Sequence, residues 1–179
     1  MRIEPTAIDG IAILHWALAT DDRGSFGRTY CREELAAAGL RFEPVQANVT
    51  RNPARHTLRG LHFQAAPHAE PKIVSCARGR IWDAAVDVRP GSPTFGRWLG
   101  FELGPESERS LYLGDGIAHG FLTLEPDSDV HYLMGAEHVP GAAAGVRWDD
   151  PALAIDWPAA PAIMSDRDRG LPLLEATGG

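Results

Sequence analysis

The sequence predicts an all-β protein, an antiparallel sandwich or barrel built from short strands with almost no helix. Fourteen prolines and nineteen glycines separate short apolar stretches along the 179 residues, and turn signals spaced this closely are typical of such folds. The length and the hydrophobic fraction of 44% suit one globular core. Because nothing in the chain looks like a linker, a repeat or a low-complexity tract, we expect one domain over residues 1–179.

The predicted elements are short apolar runs bounded by polar turns. The first strand is expected at 11–16, before a turn at 21–24, and a short helix at 32–38, because Gly39 supplies a stop signal. Seven further runs have the composition of strands: 45–50, 57–64, 72–76, 81–89, 98–103, 117–124 and 130–134. The C-terminal tail is expected to be rich in loops.

The run 81–89 alternates most clearly between two faces. One face carries apolar side chains, namely Trp82, Ala84, Val86 and Val88. The other face carries Ile81, Asp83, Ala85, Asp87 and Arg89. Whether Asp87 faces water stays open, whereas the apolar neighbours of Asp83 favour a buried position.

Composition excludes several classes of protein. A formal net charge of −7 argues against a nucleic-acid surface, which is usually basic. No apolar run approaches the length that spans a membrane, and the N-terminus has no signal-like apolar core. Two cysteines, Cys31 and Cys76, make no disulfide framework, so we expect a cytoplasmic protein.

The basic residues are almost all arginine. Lys72 is the one lysine among seventeen basic residues. Two readings stay open: a GC-biased genome that drifts towards arginine codons, or a site that needs a compact ammonium where a planar guanidinium will not serve.

Polar residues interrupt the apolar strand at 57–64. Arg59 and His62 are three residues apart, so a regular strand would point them to opposite faces. A bulge at Gly60 would bring them together. Taken alone, a single strand histidine is more often structural than catalytic.

The segment 114–121 resembles the second half of the cupin signature, in which a histidine, here His119, follows a glycine turn. In metal-binding cupins that histidine joins two more histidines and a carboxylate. The matching place for the first half carries only His62, and a stable transition-metal site needs three or four ligands. We therefore expect a cupin-like jelly-roll barrel without a metal site and without a cofactor.

Nine blocks resemble the dTDP-4-dehydrorhamnose 3,5-epimerase family, and their order and spacing make the resemblance specific across almost the whole chain. They are 22–24, 45–48, 58–64, 71–74, 83–89, 92–96, 116–121, 145–151 and 165–168. The resemblance implies a jelly-roll homodimer that exchanges strands. It also implies an isomerase that epimerises the C3 and/or C5 centre of a dTDP-linked 4-keto-6-deoxy sugar, as in rhamnose-type deoxysugar biosynthesis.

The resemblance also implies residue roles for proton transfer beside a ketone, which needs a base, an opposed acid and a group that stabilises the enolate. His62 is implied as the base, with Asp168 orienting it. Tyr132 is implied as the acid on the opposite face, and Lys72 as the electrophile for the enolate oxygen. Without the resemblance, Tyr132 would be read as an ordinary strand tyrosine.

Substrate binding is implied for a second set. Arg23, Arg59 and His119 are expected near the phosphates and the sugar. Gln46 and Asn48 are expected to position the sugar or the base, and Phe26 to pack on the nucleoside. For each arginine the alternative is a solvated surface charge, which is least convincing for Arg59.

Three positions depart from the family pattern at the nucleobase end. Arg28 stands where glutamate is frequent, His138 where a tyrosine often stacks on thymine, and Ala143 where an acidic residue is common. A donor-only arginine would suit guanine or cytosine, unless Arg28 turns outward into a surface ion pair.

Four alternatives therefore stay open. Two keep the chemistry: a mono-epimerase that inverts C3 or C5 only, and an epimerase of another nucleotide 4-keto sugar, GDP- or CDP-linked. A third is a non-catalytic sugar-nucleotide-binding jelly roll, which would need no opposed base and acid. A metal cupin oxygenase is disfavoured because its ligands are missing.

Overall fold

The computed structural model describes residues 1–174, in which two antiparallel sheets pack face to face as a jelly roll. The six-stranded sheet has the order β1-β2-β10-β7-β12-β5, and the five-stranded sheet has the order β13-β6-β11-β8-β9. Strands β3 and β4 form a two-stranded hairpin sheet of their own. The predicted all-β, cupin-like jelly roll is confirmed. The single domain over 1–179 stays a prediction, since 175–179 lie outside the described residues.

The elements are short. The strands are β1 Arg2–Pro5, β2 Ile11–His15, β3 Ala17–Asp21, β4 Gly24–Arg28, β5 Gln46–Asn52, β6 Leu58–Gln64, β7 Lys72–Arg78, β8 Ile81–Asp87, β9 Trp98–Leu103, β10 Arg109–Leu113, β11 Ile117–Thr123, β12 Ser128–Met134 and β13 Ala143–Gly145. The helices are α1 Arg32–Ala37 and α2 Asp166–Arg169, and 3-10 turns occur at Pro105–Ser107 and Pro140–Ala142. Within residues 1–174, no helix reaches the length and apolarity that a bilayer crossing requires.

All eight predicted strands and the predicted helix are present, with ends shifted by a few residues. Strands β1, β3, β4, β10 and β13 and helix α2 were missed. The hairpin β3–β4 is mostly exposed on both faces, so it has no apolar alternation to detect. The other missed elements are three to five residues long, too short for a period to be recognised.

The core has three apolar layers. Between the sheets, β2, β7, β10 and β12 pack on β8 and β11. The outer face of the five-stranded sheet is covered by the C-terminal segment, in which Leu153 and Leu174 are buried against Ala84 and Val86. The outer face of the six-stranded sheet is covered by Leu35 of α1 and its neighbours.

The predicted alternation on β8 is present, and both of its faces are buried. Asp83 and Asp87 are both fully buried, which confirms the position favoured for Asp83 and excludes the water-facing alternative that the sequence left open for Asp87. Asp87 accepts hydrogen bonds from Arg89, Ser92 and Thr94. Burial alone would raise the pKa of Asp87, but these donors together hold it well below its usual range.

A bulge in β6 is the local feature that builds the site. His62 pairs with His119 of β11, but Arg59 pairs with Phe121. Between these two pairs the chain advances by three residues on β6 and by only two on β11, so β6 contains one extra residue. Gly60 lies inside this bulge with φ +117°. A Cβ there would lie 2.5 Å from the Gly120 Cα and 2.7 Å from the His119 carbonyl oxygen. The predicted bulge is therefore confirmed, and it requires glycine.

We expect Gly60→Ala to lower the free energy of unfolding by at least about 3 kcal/mol, because steric overlap with β11 adds to the cost of a left-handed backbone. The matched control is Gly39→Ala, which has a similar positive φ of +80° but nothing within 4 Å of the added carbon. That variant should lose only about 1 kcal/mol. Chemical denaturation measures both, and equal losses would show that the contact with β11 is not limiting.

Candidate active site

A cavity of ≈ 460 Å³ opens between the two sheets. Strands β5, β7 and β12 form one wall, and β6, β11 and β13 form the other. Nine of the twelve predicted site residues line it: Gln46, Asn48, Arg59, His62, Lys72, His119, Tyr132, His138 and Asp168. The structure thus brings together every residue that was expected to take part in proton transfer.

His62 is held by a buried carboxylate. Its Nε2 lies 2.7 Å from Oδ1 of Asp168. The other oxygen of Asp168 accepts from the Gly60 backbone N–H at 3.2 Å, and Ser165 caps α2 by accepting from the Asp168 N–H. Burial raises the pKa of Asp168, but the hydrogen bond and charge of His62, the Gly60 N–H and the Ser165 side chain together outweigh it, so the pKa is lowered. Asp168 therefore stays ionised beside His62 at neutral pH.

Tyr132 faces this pair from the opposite sheet, since it lies on β12 whereas His62 lies on β6. Its ring packs edge-on against His119, with centroids 5.8 Å apart. Burial is the main cause that raises the pKa of Tyr132, and the Asp83 carboxylate adds to it. Tyr132 therefore keeps its phenolic proton at pH values well above the ordinary pKa of tyrosine.

His119 has its own buried carboxylate. Its Nδ1 lies 3.0 Å from Oδ2 of Asp83, and both side chains are buried. Among the described residues, Oδ1 of Asp83 has no hydrogen-bond partner. The negative charge of Asp83 contributes, after burial, to the raised pKa of Tyr132.

Lys72 is paired inside the cavity. Its Nζ lies 3.0 Å from Oε1 of Glu70, and the two side chains are only 6% and 7% exposed. Lys72 opens β7 and pairs there with Leu113 and Met134. The one lysine of the chain is thus a buried ammonium with a carboxylate partner, and not a solvated surface charge.

Two amide side chains support the walls. Arg59 donates from Nε to the buried Asn52 Oδ1 at 2.8 Å, which directs its guanidinium into the open cavity. Gln64 donates to the His68 and Glu137 carbonyls and accepts from the Val139 N–H. Gln64 therefore ties together the two loops that carry Glu70 and His138.

Three predicted substrate-binding residues lie away from the cavity, on the β3–β4 hairpin. Phe26 is 83% exposed, and Arg23 forms a bidentate pair with Asp21. Arg28 donates to Glu34 at 2.7 Å on the surface. This pair matches the outward reading of Arg28, so the geometry of one chain does not support a guanosine or cytidine preference.

Sequence reasoning missed four residues around the cavity: Asn52, Glu70, Asp83 as the partner of His119, and Arg167. For Asp83, the apolar neighbours were a usable signal. Glu70 directly precedes the block 71–74 that was noticed, but no pattern in the sequence indicates which carboxylate a lysine will meet. Among residues 1–174, no group of three or more His, Cys, Asp or Glu side chains has metal-site geometry.

The cavity of this jelly roll has a histidine–carboxylate pair on one wall and a phenol on the other. This arrangement is that of a protein that transfers protons to and from a bound polar ligand. Comparison with known proteins identifies the family within this class. The family model described as dTDP-4-dehydrorhamnose 3,5-epimerase matches residues 5–176. The chain belongs to this family.

The relatives match nearly end to end. A dTDP-4-dehydrorhamnose 3,5-epimerase of Salmonella typhimurium is 37% identical over 179 residues, covering 98% of this chain and 96% of the relative. A dTDP-4-dehydrorhamnose 3-epimerase of Streptomyces niveus is 38% identical over 175 residues, covering 97% and 84%. The crystal structure of a dTDP-4-dehydrorhamnose 3,5-epimerase from Bacillus anthracis, with TDP and PPi bound, superposes with a TM-score of 0.93 at 39% identity, covering 96% of this chain and 98% of that one.

The raised tyrosine pKa values predict a delayed tyrosinate titration in the folded protein. Burial is the main cause of the shift at each of the three tyrosines, Tyr30, Tyr112 and Tyr132, and is accompanied by a nearby carboxylate charge at Tyr132. At pH 10, where free tyrosine is half ionised, we expect less than half of the tyrosinate absorbance of the denatured chain. Tyr132→Phe should remove the last step.

The same shifts set the sign of the pH dependence of stability. Above pH 10 the unfolded chain releases protons that the folded chain keeps, so the free energy of unfolding should fall as pH rises. A native titration that already matches the denatured one at pH 10 would contradict the raised pKa values of these phenols.

Proposed function

We propose that this chain is a carbohydrate epimerase that inverts C3 and/or C5 beside the C4 ketone of a dTDP-4-keto-6-deoxyhexose. The observation that carries the proposal is the opposition of the His62–Asp168 pair and Tyr132 across one cavity. Inversion requires that a proton leaves one face of a carbon and returns on the other. A protein that only binds sugar nucleotides would need no base and acid on opposed walls.

The first step is removal of the proton beside the ketone. Asp168 fixes the orientation of the His62 imidazole and compensates the positive charge that the ring acquires. The electrons of the broken C–H bond move to the ketone oxygen and form an enolate. Lys72 is the group that stabilises this oxygen, because its ammonium lies in the same cavity and can act as a point charge.

The second step returns a proton to the carbon from the opposite side. Tyr132 supplies its phenolic proton, the enolate collapses to the ketone, and the centre is inverted. Because its pKa is raised, Tyr132 keeps its phenolic proton until the nucleophilic carbon of the enolate accepts it. His62 then releases the abstracted proton, and Tyr132 regains one, both by exchange with water.

The remaining cavity residues suit the diphosphate and the nucleoside. Arg59 and His119 offer cationic or N–H donors near the reacting groups, and phosphate oxygens are the acceptors that arginine recognises best. Gln46 and Asn48 lie along β5 on the six-stranded wall, and His138 lies on the loop tied down by Gln64. The thymidine nucleotide named for the relatives fits this polar set.

A homodimer that exchanges strands would complete the site. The β3–β4 hairpin forms a sheet of its own and presents Phe26 and Arg23 to solvent. In a twofold dimer, the hairpin of one protomer would reach the cavity of the other, where Phe26 packs on the nucleoside and Arg23 binds phosphate. We also propose that the protein works in the cytoplasm, since Cys31 and Cys76 are free thiols.

We expect His62→Ala to abolish exchange of the C3 and C5 protons with deuterated water, with a rate loss of ~10²–10⁴-fold or more, because it removes the base. Tyr132→Phe keeps the ring but lacks the proton. In that variant exchange should continue while net inversion falls. Mass spectrometry of the recovered sugar counts the deuterons, and thereby shows whether one or both centres react.

Two controls sharpen this experiment. Titration with dTDP should show that both variants still bind the nucleotide, so that lost exchange is not lost binding. Exhaustive chelation should leave wild-type exchange unchanged, since the proposed mechanism uses no metal. Exchange at the wild-type rate in His62→Ala would remove the basis for the proposal.

The exchanged hairpin predicts complementation between two inactive variants. His62→Ala has a defective cavity and a sound hairpin, whereas Arg23→Ala has the reverse. Unfolding, mixing in equal amounts and refolding should make half of the dimers hybrid, each with one sound composite site, so activity should recover to roughly one quarter of wild type. The double variant refolded with itself is the control. A mixture that stays inactive would show that each site lies within one chain.

A further inference from the structure

Two carboxylates line the cavity among the residues that the structure describes, and each contacts one of the proposed reacting groups. Asp168 contacts His62 at 2.7 Å, and Glu70 contacts Lys72 at 3.0 Å. The ion pair between Glu70 and Lys72 is not a surface pair, because the Glu70 side chain is only 7% exposed and the Lys72 side chain only 6%. Surface pairs contribute little, whereas breaking a buried pair leaves an uncompensated charge.

Glu70 lies in a loop that is fixed on both sides. On the N-terminal side, Gln64 donates to the His68 carbonyl at 3.1 Å. On the C-terminal side, the Pro71 carbonyl accepts from the Gly135 N–H at 2.8 Å. A Cβ on Gly135 would lie only 2.8 Å from the Pro71 Cγ. The backbone that carries Glu70 therefore has little freedom, and the carboxylate is in place before a ligand binds.

Lys72, in contrast, has a side chain that needs to be held. Its ammonium ends a flexible four-carbon stem and carries three N–H donors. One donor faces Glu70. Because one N–H donor of Lys72 binds a fixed acceptor, the other two donors remain for a ligand oxygen. The ammonium then does not have to move when the enolate forms.

We propose that Glu70 is a positioning residue that holds the Lys72 ammonium at the place where the enolate oxygen develops. This inference rests on the proposed function, because it assigns Glu70 to the same site. Glu70 acts through Lys72 and takes no proton from the sugar. The required property is an acceptor oxygen at the Oε1 position, so glutamine substitutes in part and an apolar side chain does not.

The kinetic signature separates positioning from binding. Holding an enolate-stabilising group affects the transition state more than the bound ketone, so kcat falls while KM stays nearly constant. Glu70→Leu should lose kcat by about 30-fold or more, in the range expected for a lost hydrogen bond to a charged group. Glu70→Gln should stay within about tenfold of wild type, because its amide oxygen still accepts from Nζ.

Glu137→Leu is the matched control. Glu137 is an exposed carboxylate on the neighbouring loop, and its backbone carbonyl accepts a hydrogen bond from Gln64 that a change of side chain leaves in place. This variant removes the same charge and adds the same side chain without contacting Lys72, so kcat should remain at the wild-type value. A common loss in Glu70→Leu and Glu137→Leu would overturn the proposal, because it would report only a change in overall charge.

A second readout does not depend on activity. Since the chain has one lysine, acetylation by an amine-reactive ester, followed by peptide mass spectrometry, reports on Lys72 alone among the side-chain amines. We expect Glu70→Leu to label at least about fivefold faster than wild type, because the amine is released from its partner, and Glu70→Gln to label at a rate between the two. Labelling of the denatured chains normalises the rates.

The combined results distinguish the two levels of the proposal. Faster labelling of Glu70→Leu together with a wild-type enzyme that shows no sugar proton exchange would support the positioning of Lys72 and reject the proposed function. Unchanged labelling and unchanged kcat in Glu70→Leu would overturn the positioning role. If Glu70→Leu does not fold, Glu70→Asp replaces it: the carboxylate withdraws by one methylene, so kcat should fall with KM unchanged, and wild-type kcat would overturn the proposal.

Discussion

The bulge at Gly60 is the constraint on which the site depends. One extra residue in β6 points Arg59 and His62 into the same cavity, which a regular strand would prevent. The same distortion frees the Gly60 N–H to donate to Asp168, so the backbone that orients the base also fixes its carboxylate. The close approach of β11 limits the position to glycine. Sterics in the sheet therefore determine the electrostatics of the site.

Around this bulge, four polar groups of the cavity each have a hydrogen-bond or ion-pair partner that holds them in place. His62 contacts Asp168, His119 contacts Asp83, Lys72 contacts Glu70, and Arg59 contacts Asn52. Burial of a polar or charged group is costly unless it has a partner. For Lys72 and His119, which are buried, the partners offset that cost, and in all four pairs the partner fixes the direction in which the group faces. Preorganisation of this kind suits a reaction in which charge develops on an oxygen and must be met without rearrangement.

The sequence predicted much of this, for identifiable reasons. Alternation on β8 and the punctuated apolar runs were sufficient for the fold, and the spacing of Arg59 and His62 around Gly60 was sufficient for the bulge. The partner of Lys72 was not predictable, since Glu70 reaches it through a loop whose path is set by Gln64. Asp87 was ambiguous because its donors lie in the following loop, so burial with satisfied hydrogen bonds leaves the same pattern as exposure.

The distribution of departures from the family pattern follows from the same architecture. Of the groups proposed for proton transfer, His62, Lys72 and Tyr132 lie on strands and Asp168 lies on the short helix α2, all within one chain. Two of the three departures lie where a substitution disturbs few contacts, Arg28 on the exposed β3–β4 hairpin and His138 on a loop, whereas the third, Ala143, begins the short edge strand β13. Arg28 is accommodated by an ion pair with Glu34, at no cost to the core. If the hairpin is exchanged as proposed, nucleotide recognition is divided between two chains while the chemistry stays within one. Changes in nucleotide preference would then arise on exposed elements, without disturbing the buried pairs that support the reaction.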